Sequence, residues 1–516
     1  MIKSKEESVF LFIPPAYGRI VPPLGTPALL GFLRAEGVFA VQSDLNMLYY
    51  DYLKRNKLQK ILTQSYKQGK TKKKVYYRRL LQDKNTYTEP VYDFENNPGS
   101  SFKFTEKILG SEFLPRYISD QRENPFVDFF YDQVYPQIKK DSDSLVGFSV
   151  TSPSQVIASF TFGHLIKKLF PRTKVVLGGQ WVSLYREELY KRNDFIDFYD
   201  YLVYFEGEIP LVRLIDAVRN NKPLAAVPNL IYPGQGRWVY SPKIAEVNLN
   251  RLPAPDFDGL PLKRYLFSRD RLSLTIETSR GCYWNKCIFC ADLPFPKPRY
   301  REKNPDLVIR DIKELIKKYR VRHLCISDAV FAPAQMKKIA KKLLKEGLKI
   351  SWWAWSRFDP AMDIQALRLA KKSGCTTLGF GLESMNQRVL DFIRKGTKLN
   401  IIRRIIKNSL DLKLTIYCQV IIGLPSETTE EARDTLFSLI AYNKNGKTVP
   451  AALNLYYLTP KTEIFLDPAS FGVKMVHAKK LPFRFVYPFK YSRGDMDRLK
   501  ARQIINVYND IFRPGK

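Results

Sequence analysis

Three cysteines, Cys282, Cys287 and Cys290, fall within the run SRGCYWNKCIFC, spaced C-x4-C-x2-C. They follow LSLTIE, Leu272 to Glu277, which reads as a strand. Three thiolates on one short loop suit a soft metal. A structural zinc site closes with four ligands. No fourth Cys or His lies near; the next downstream candidate is His323, beyond a whole helix-like stretch. Three thiolates on a cubane iron–sulfur cluster leave one iron open to a substrate. The bland alternative is a reduced, packed cysteine cluster or a zinc loop.

The elements that must position this loop come next. From Leu272 onward, candidate strands at 272–277, 321–327, 349–356, 375–382, 414–422 and 451–458 alternate with helical stretches. The cysteine loop lies at the carboxyl end of the first. Loop and alternation together resemble the radical S-adenosylmethionine (SAM) family, whose fold is a partial (β/α)6 barrel. The family's usual loop is C-x3-C-x2-C, so one residue is added here. Phe289, just before the third cysteine, fits the family pattern. In barrels of this type, chemistry sits at the carboxyl ends of the strands. The resemblance implies a 4Fe–4S cluster on Cys282, Cys287 and Cys290.

It also implies further SAM-binding residues at successive strand ends. In ISDAVF, Asp328 would accept the methionine ammonium. In WAWSRFDP, Arg357 would pair with the carboxylate. In GFGLES, Glu383 would accept ribose hydroxyls. In QVIIGLPSE, with Gln419 in place of the family's first glycine, the backbone around Ile421 and Gly423 would meet adenine. Taken singly, Arg357 is equally a surface ion pair and Glu383 a helix N-terminal residue favoured by the dipole; their order carries the reading. Trp353 and Trp355 share a strand face, as core packing or as a substrate wall. Cys325, Cys375 and Cys418 read as core thiols.

The first 250 residues also alternate strand and helix, interrupted by a basic, partly helical insertion at 51–140. Apolar strands ending in small residues indicate a doubly wound parallel sheet, whose ligands bind outside the carboxyl ends of the strands. Those ends, PPLG, SVTSP, VVLGG and FEGE, resemble in order the cobalamin-binding domain that precedes many radical SAM domains. The implied cobalamin contacts are Pro23, Leu24, Gly25, Ser149, Thr151, Gly178, Gly179, Gln180, Glu206 and Gly207. The chain has no D-x-H-x-x-G signature, and Gln180-Trp181 stands where relatives often have Pro-His. Cobalamin would therefore lack a protein histidine beneath cobalt; His164 reads as a packed or surface residue.

The domain plan is thus a Rossmann-like, doubly wound domain over 1–250 and a Pro-rich linker over 251–268. A radical SAM barrel over 269–460 and a small C-terminal cap over 461–516 complete it. At 516 residues and 45% hydrophobic content the chain has ample core for such an α/β plan. Six cysteines make no disulfide framework. The start has too short an apolar core for a signal peptide, and no run approaches the ~18 apolar residues of a spanning helix. A reducing cytoplasm is expected.

Net charge is +33, a field that attracts anions. Residues 51–80 hold eleven Lys or Arg and one acid, with Tyr66, Tyr76 and Tyr77 interleaved. A solvated basic face is favoured there over RNA contact.

The resulting expectation is a cobalamin-dependent radical SAM enzyme methylating an unactivated carbon of a peptide or natural-product precursor. The resemblance implies reductive cleavage of SAM, hydrogen abstraction from the substrate, and methyl supply from methylcobalamin. An external one-electron reductant of flavodoxin or ferredoxin type is its expected partner. Cyclisation, rearrangement or oxidation with the same cofactors is one alternative. A nucleic-acid-binding protein with a structural metal loop is another. A methylthiotransferase would carry extra cluster cysteines upstream, and no Cys precedes Cys282.

Overall fold

The computed structural model describes residues 8–15, 18, 20–55, 109, 114–121, 124–139, 144–265, 272–291, 299–443, 449–476, 483–491 and 494–512. It divides into two units, Met1–Leu272 with Leu481–Phe485, and Ser273–Lys480 with Val486–Lys516.

The first unit is built on a seven-stranded sheet. β1 (Val9–Ile13), β2 (Ala40–Asp44), β3 (Leu145–Ser149), β4 (Lys174–Gly178) and β5 (Tyr201–Val203) are parallel. β6 (Leu230–Pro233) and β7 (Trp238–Tyr240) extend it as an antiparallel hairpin. The order is β2-β1-β3-β4-β5-β6-β7. The chain therefore winds outward in both directions from a switch point between β1 and β3.

Side chains alternate across the sheet. Val9 and Leu11 join an aliphatic core with Leu30 and Leu214 from the helices Gly25–Ala35 and Glu208–Arg219. Phe10 and Phe12 join an aromatic core on the other face.

That aromatic core takes in the end of the insertion expected at 51–140. Leu114, Ile118, Phe126, Phe129 and Phe130 are fully buried in it. The rings of Phe126, Phe129 and Phe130 lie 5.9–6.2 Å from Phe162 of the helix Val156–Leu169. From residue 114 on, the segment is core rather than excursion. Most of the basic run at 51–80 lies outside the described residues.

The expected linker is also fastened down. Arg34 donates to the Asp256 carboxylate at 2.5 Å, and Gln42 donates to the Asp256 and Asp258 carbonyls at 2.7 and 2.9 Å. A Cβ at Gly259 would lie 2.4 Å from the Gln42 carbonyl. Residues 251–265 are thus part of the first unit.

In the second unit, β8 (Ser273–Ile276) leads into a short pair, β9 (Ser279–Arg280) with β10 (Arg301–Glu302). Then come β11 (His323–Ile326), β12 (Ser351–Ser356), β13 (Cys375–Glu383), β14 (Thr415–Ile422) and β15 (Ala451–Leu455). The six long strands form one parallel sheet, β15-β14-β13-β12-β11-β8.

Three of the crossover helices have starts legible in the residues. Asn304-Pro305 caps Pro305–Tyr319, Asp363 caps Ile364–Lys372, and Thr428 with Glu431 forms a capping box for Thr429–Tyr442. Leu274, Leu324, Trp352, Leu378 and Ile416 are buried on one face of the sheet. In register on the other face stand Thr275, Cys325, Trp353, Thr377 and Thr415, a mostly polar layer. Trp355, on that same face, lies 6.4 Å from Trp353 and 6.1 Å from Tyr417.

Residues 461–516 do not form a single cap. The helix Arg498–Phe512 buries Ala501, Ile504 and Tyr508 and packs on β15, β14 and the helix Thr429–Tyr442. Leu481–Phe485 groups with the first unit, where Phe483 stacks on Trp181 at 5.8 Å. Among the described residues, no helix is long and apolar enough to cross a membrane.

Candidate active site

The cysteine loop begins where β8 ends, and its two ends are paired. Arg301 faces Arg280 and Glu302 faces Ser279 across the β9–β10 pair. Asp328, just past β11 and 3% exposed, fixes the point of departure. It accepts from the Thr278 amide and hydroxyl at 2.7 and 2.5 Å and from the Ser279 amide and hydroxyl at 3.1 and 2.8 Å.

A carboxylate offers about four acceptor positions, so this one is filled. Asp328 was expected to take the methionine ammonium; the structure assigns it instead to anchoring the root of the loop. Burial raises its pKa to about 6, with the four hydrogen bonds opposing.

Cys282, Cys287 and Cys290 form no disulfide and are partly buried. Burial pushes the Cys287 thiol up, while Lys395 and Arg357 nearby pull it down. Among the described residues, no three His, Cys, Asp or Glu converge as single-ion ligands. A cluster takes each thiolate on a different iron, and this donor set fits it.

The loop docks on the turn at 393–396. Ile288 donates its amide to the Ile393 carbonyl at 3.3 Å, and the Trp284 indole donates to the Arg394 carbonyl at 2.7 Å. Tyr283 donates to Asp359 at 2.9 Å. Burial, and then that carboxylate, raise the Tyr283 pKa.

Arg357 is 6% exposed at the end of β12. It donates to the Lys395 carbonyl at 2.5 Å, and its guanidinium sits 4.5 Å from the Trp284 ring centroid. Lys395 turns its ammonium to Glu383 at 2.6 Å, both groups being buried. Burial disfavours that charge, but Glu383 and then the Cys287 thiolate outweigh it and raise the Lys395 pKa. Glu383, with φ of 63°, therefore spends one oxygen on Lys395. Phe289 lies 5.9 Å beneath the same ammonium.

Gln419 accepts from Asn454 at 2.7 Å, and Ile421 packs with the apolar cluster around Ile288 and Leu424. Gly423 donates its amide to Glu427 at 2.6 Å, and its carbonyl accepts from the Tyr491 hydroxyl at 2.6 Å. Both polar groups expected to face adenine are thus spoken for within the chain.

Lys395, Trp284, Asp359 and Glu427 were not found from the sequence. A glycine right after a basic pair, Arg394-Lys395-Gly396, was the available signal for a special turn.

In the first unit, all ten expected cobalamin contacts lie at or just past the carboxyl ends of parallel strands. Pro23, Leu24 and Gly25 follow β1, and Ser149 and Thr151 end β3. Gly178, Gly179 and Gln180 close β4, and Glu206 and Gly207 follow β5. The β1 and β3 ends meet, since a Cβ on Gly25 would lie 3.2 Å from the Ser149 hydroxyl.

Gln155, fully buried, ties them. It accepts from the Thr151 and Ser152 amides at 2.9 and 3.0 Å and donates to the Pro14 carbonyl at 2.8 Å. Sequence reasoning missed it. Glu206 accepts the Val247 amide at 2.7 Å, so that oxygen is committed internally. His164 packs beside Phe198, ahead of β5 and at the opposite edge from Gly179; burial lowers its pKa. His477 lies outside the described residues.

A doubly wound sheet, followed by a six-stranded parallel sheet with a three-cysteine loop at its carboxyl edge, defines a two-unit α/β enzyme with a cluster-type donor set. Residues 276–439 match the radical SAM superfamily. That match spans about a third of the chain, and the fold of both units is similar to that of cobalamin-dependent radical SAM proteins.

It is 28% identical over 337 residues to an uncharacterized methyltransferase of Pyrococcus horikoshii, covering 64% of this chain and 72% of that protein. It is 27% identical over 317 residues to the anaerobic magnesium-protoporphyrin IX monomethyl ester cyclase of Rubrivivax gelatinosus, covering 60% of this chain and 56% of the cyclase. The fold superposes with a TM-score of 0.63 on the radical SAM methyltransferase TsrM of Kitasatospora setae, solved with cobalamin and a 4Fe–4S cluster bound. That match covers 98% of this chain and 91% of TsrM at 16% identity.

Proposed function

We propose that the chain holds a 4Fe–4S cluster and SAM in its second unit and cobalamin in its first, and methylates an unactivated carbon of a peptide or natural-product precursor. The observation that carries this is the cysteine loop, three thiols outside any disulfide and braced by buried charges in a segment that matches the radical SAM superfamily. When bound, the cluster supplies one electron to the sulfonium of SAM and cobalamin carries the methyl group.

The chain's residues do the holding. Cys282, Cys287 and Cys290 ligate three irons. Arg357 offers its planar fork to a carboxylate. Glu383, with one oxygen on Lys395, presents the other to ribose hydroxyls. Phe289 and Ile421 supply apolar contact. In the first unit, Gly25, Gly178, Gly179 and Gly207 let backbone approach a flat macrocycle closely. His164, beside Phe198 and ahead of β5, is not among the residues that would hold cobalamin. An external one-electron reductant and a reducing cytoplasm complete the reading.

Anaerobic reconstitution with iron, sulfide and cobalamin tests it. About four irons and one cobalamin per chain are expected. Candidate precursors should gain a methyl group traceable to labelled SAM. A protein that binds no cobalamin sinks the methyl-transfer reading. The cyclase relative favours one alternative outcome: a product that has lost hydrogen and gained no label would assign cyclisation instead.

A further inference from the structure

Four residues, Tyr283 to Lys286, separate Cys282 from Cys287, and the structure shows where their bulk goes. Asn285 takes a left-handed φ of 52°. The Trp284 ring rests on Gly396, where a Cβ would lie 1.8 Å from Cζ2. Its indole N–H is held by the Arg394 carbonyl at 2.7 Å. Its face carries the Arg357 guanidinium at 4.5 Å. Arg357 in turn donates to the next carbonyl of the same turn, that of Lys395, at 2.5 Å. Loop, turn and arginine thus close a ring of contacts, with one backbone carbonyl for each of the two side chains.

We infer that Trp284 is a positioning residue for Arg357, so that the cysteine loop itself aims the group that binds the carboxylate of SAM. The inference rests on the reading of Arg357 given above. Stacking occupies one face of the guanidinium and leaves N–H groups on its edge for a bidentate partner. Without the ring, a long side chain regains rotamers it must lose again when it binds. Gly396 belongs to the same device. It has a left-handed φ of 67° and leaves room for an indole that any larger residue would displace.

The full-length, reconstituted enzyme gives the test. Iron content, the Kd for SAM by equilibrium dialysis, and kcat and KM for SAM cleavage are measured in four variants. Trp284→Ala should keep its iron and raise the Kd roughly tenfold, with KM rising more than kcat falls. Trp284→Phe keeps the ring face and should recover most of the affinity. Gly396→Ala pushes the indole aside while leaving Trp284 itself in place in the sequence, and should behave as Trp284→Ala does.

Wild-type Kd in both Trp284→Ala and Gly396→Ala overturns the inference. So does loss of iron in Trp284→Ala with wild-type Kd in Gly396→Ala, which would reduce Trp284 to a loop support. Arg357→Ala separates the layers. If it weakens SAM binding while the Trp284 variants do not, only the positioning role fails. If it leaves Kd unchanged, the Arg357 reading fails and the positioning role with it.

Discussion

At the carboxyl edge of the second sheet, buried side chains do the holding: Asp328 takes four donors, Lys395 pairs with Glu383, and Arg357 lies between Trp284 and a backbone carbonyl. At the carboxyl edge of the first sheet, backbone does it. Gly179, with φ of 101°, would place a Cβ 2.5 Å from the Val150 carbonyl, and Gln155 ties two loops through amides and a carbonyl. An edge that must hold a charged cosubstrate against a cluster needs oriented charges and the ties that fix them. An edge that receives a broad, flat ligand needs surface that side chains do not obstruct.

The contrast breaks most sharply at Cys287. Cys287→Ala should abolish SAM cleavage and cluster retention, read by iron content and product analysis; full cleavage in that variant would rule out the cluster assignment. Next comes Lys395→Met, which leaves Glu383 buried without its cation. A loss of about 3–5 kcal/mol is expected, measured by denaturant unfolding of the cluster-free chain. Adding Glu383→Gln should recover much of it, and a loss near zero in the single variant would mean the pair is solvated.

Glu427 sharpens the same side. Burial pushes its carboxyl from 4.5 to about 8, against the amide bonds from Gly423 and Leu424. Since the folded state holds this proton more tightly, its stabilising contribution is complete below about 4.5 and is lost as pH rises through about 8. Between those limits the wild type should lose about 1.4 kcal/mol per pH unit relative to Glu427→Gln. Parallel stability curves for the two would refute the shift.

On the other edge, Gly179→Ala should cost about 1–3 kcal/mol and weaken cobalamin retention, while Thr151→Ala should change stability by less. The reverse order would undo the contrast. The smallest effect belongs to Lys72, Lys73 and Lys74, outside the described residues. Neutralising all three should leave substrate turnover and its salt dependence nearly unchanged, and a large loss of substrate affinity would show that the basic segment grips an anion.

The cysteine spacing, the strand ends and the six repeated units were legible because each is a local pattern. What escaped is non-local. Lys395 reads as one more surface cation until its partner Glu383 is placed across a turn. Asp328 matches a ligand position in sequence, yet its four donors come from Thr278 and Ser279, 50 residues earlier. The Pro-rich stretch after Leu249 reads as a spacer because Arg34 and Gln42, which grip it, lie more than 200 residues upstream. The β6–β7 hairpin had a usable local signal, PGQG between two short apolar runs, and could have been found.

The pairing of β9 with β10 has a consequence for change in this family. Because Ser279–Arg280 and Arg301–Glu302 clasp the base of the cysteine loop, the chain enters and leaves the loop at one paired point. The added residue between Cys282 and Cys287 is taken up inside the clasp, leaving β8 and the helix Pro305–Tyr319 in register. A change of spacing between the first two cysteines is therefore felt where the loop docks, at Gly396 and Arg357, rather than in the pairing of the strands.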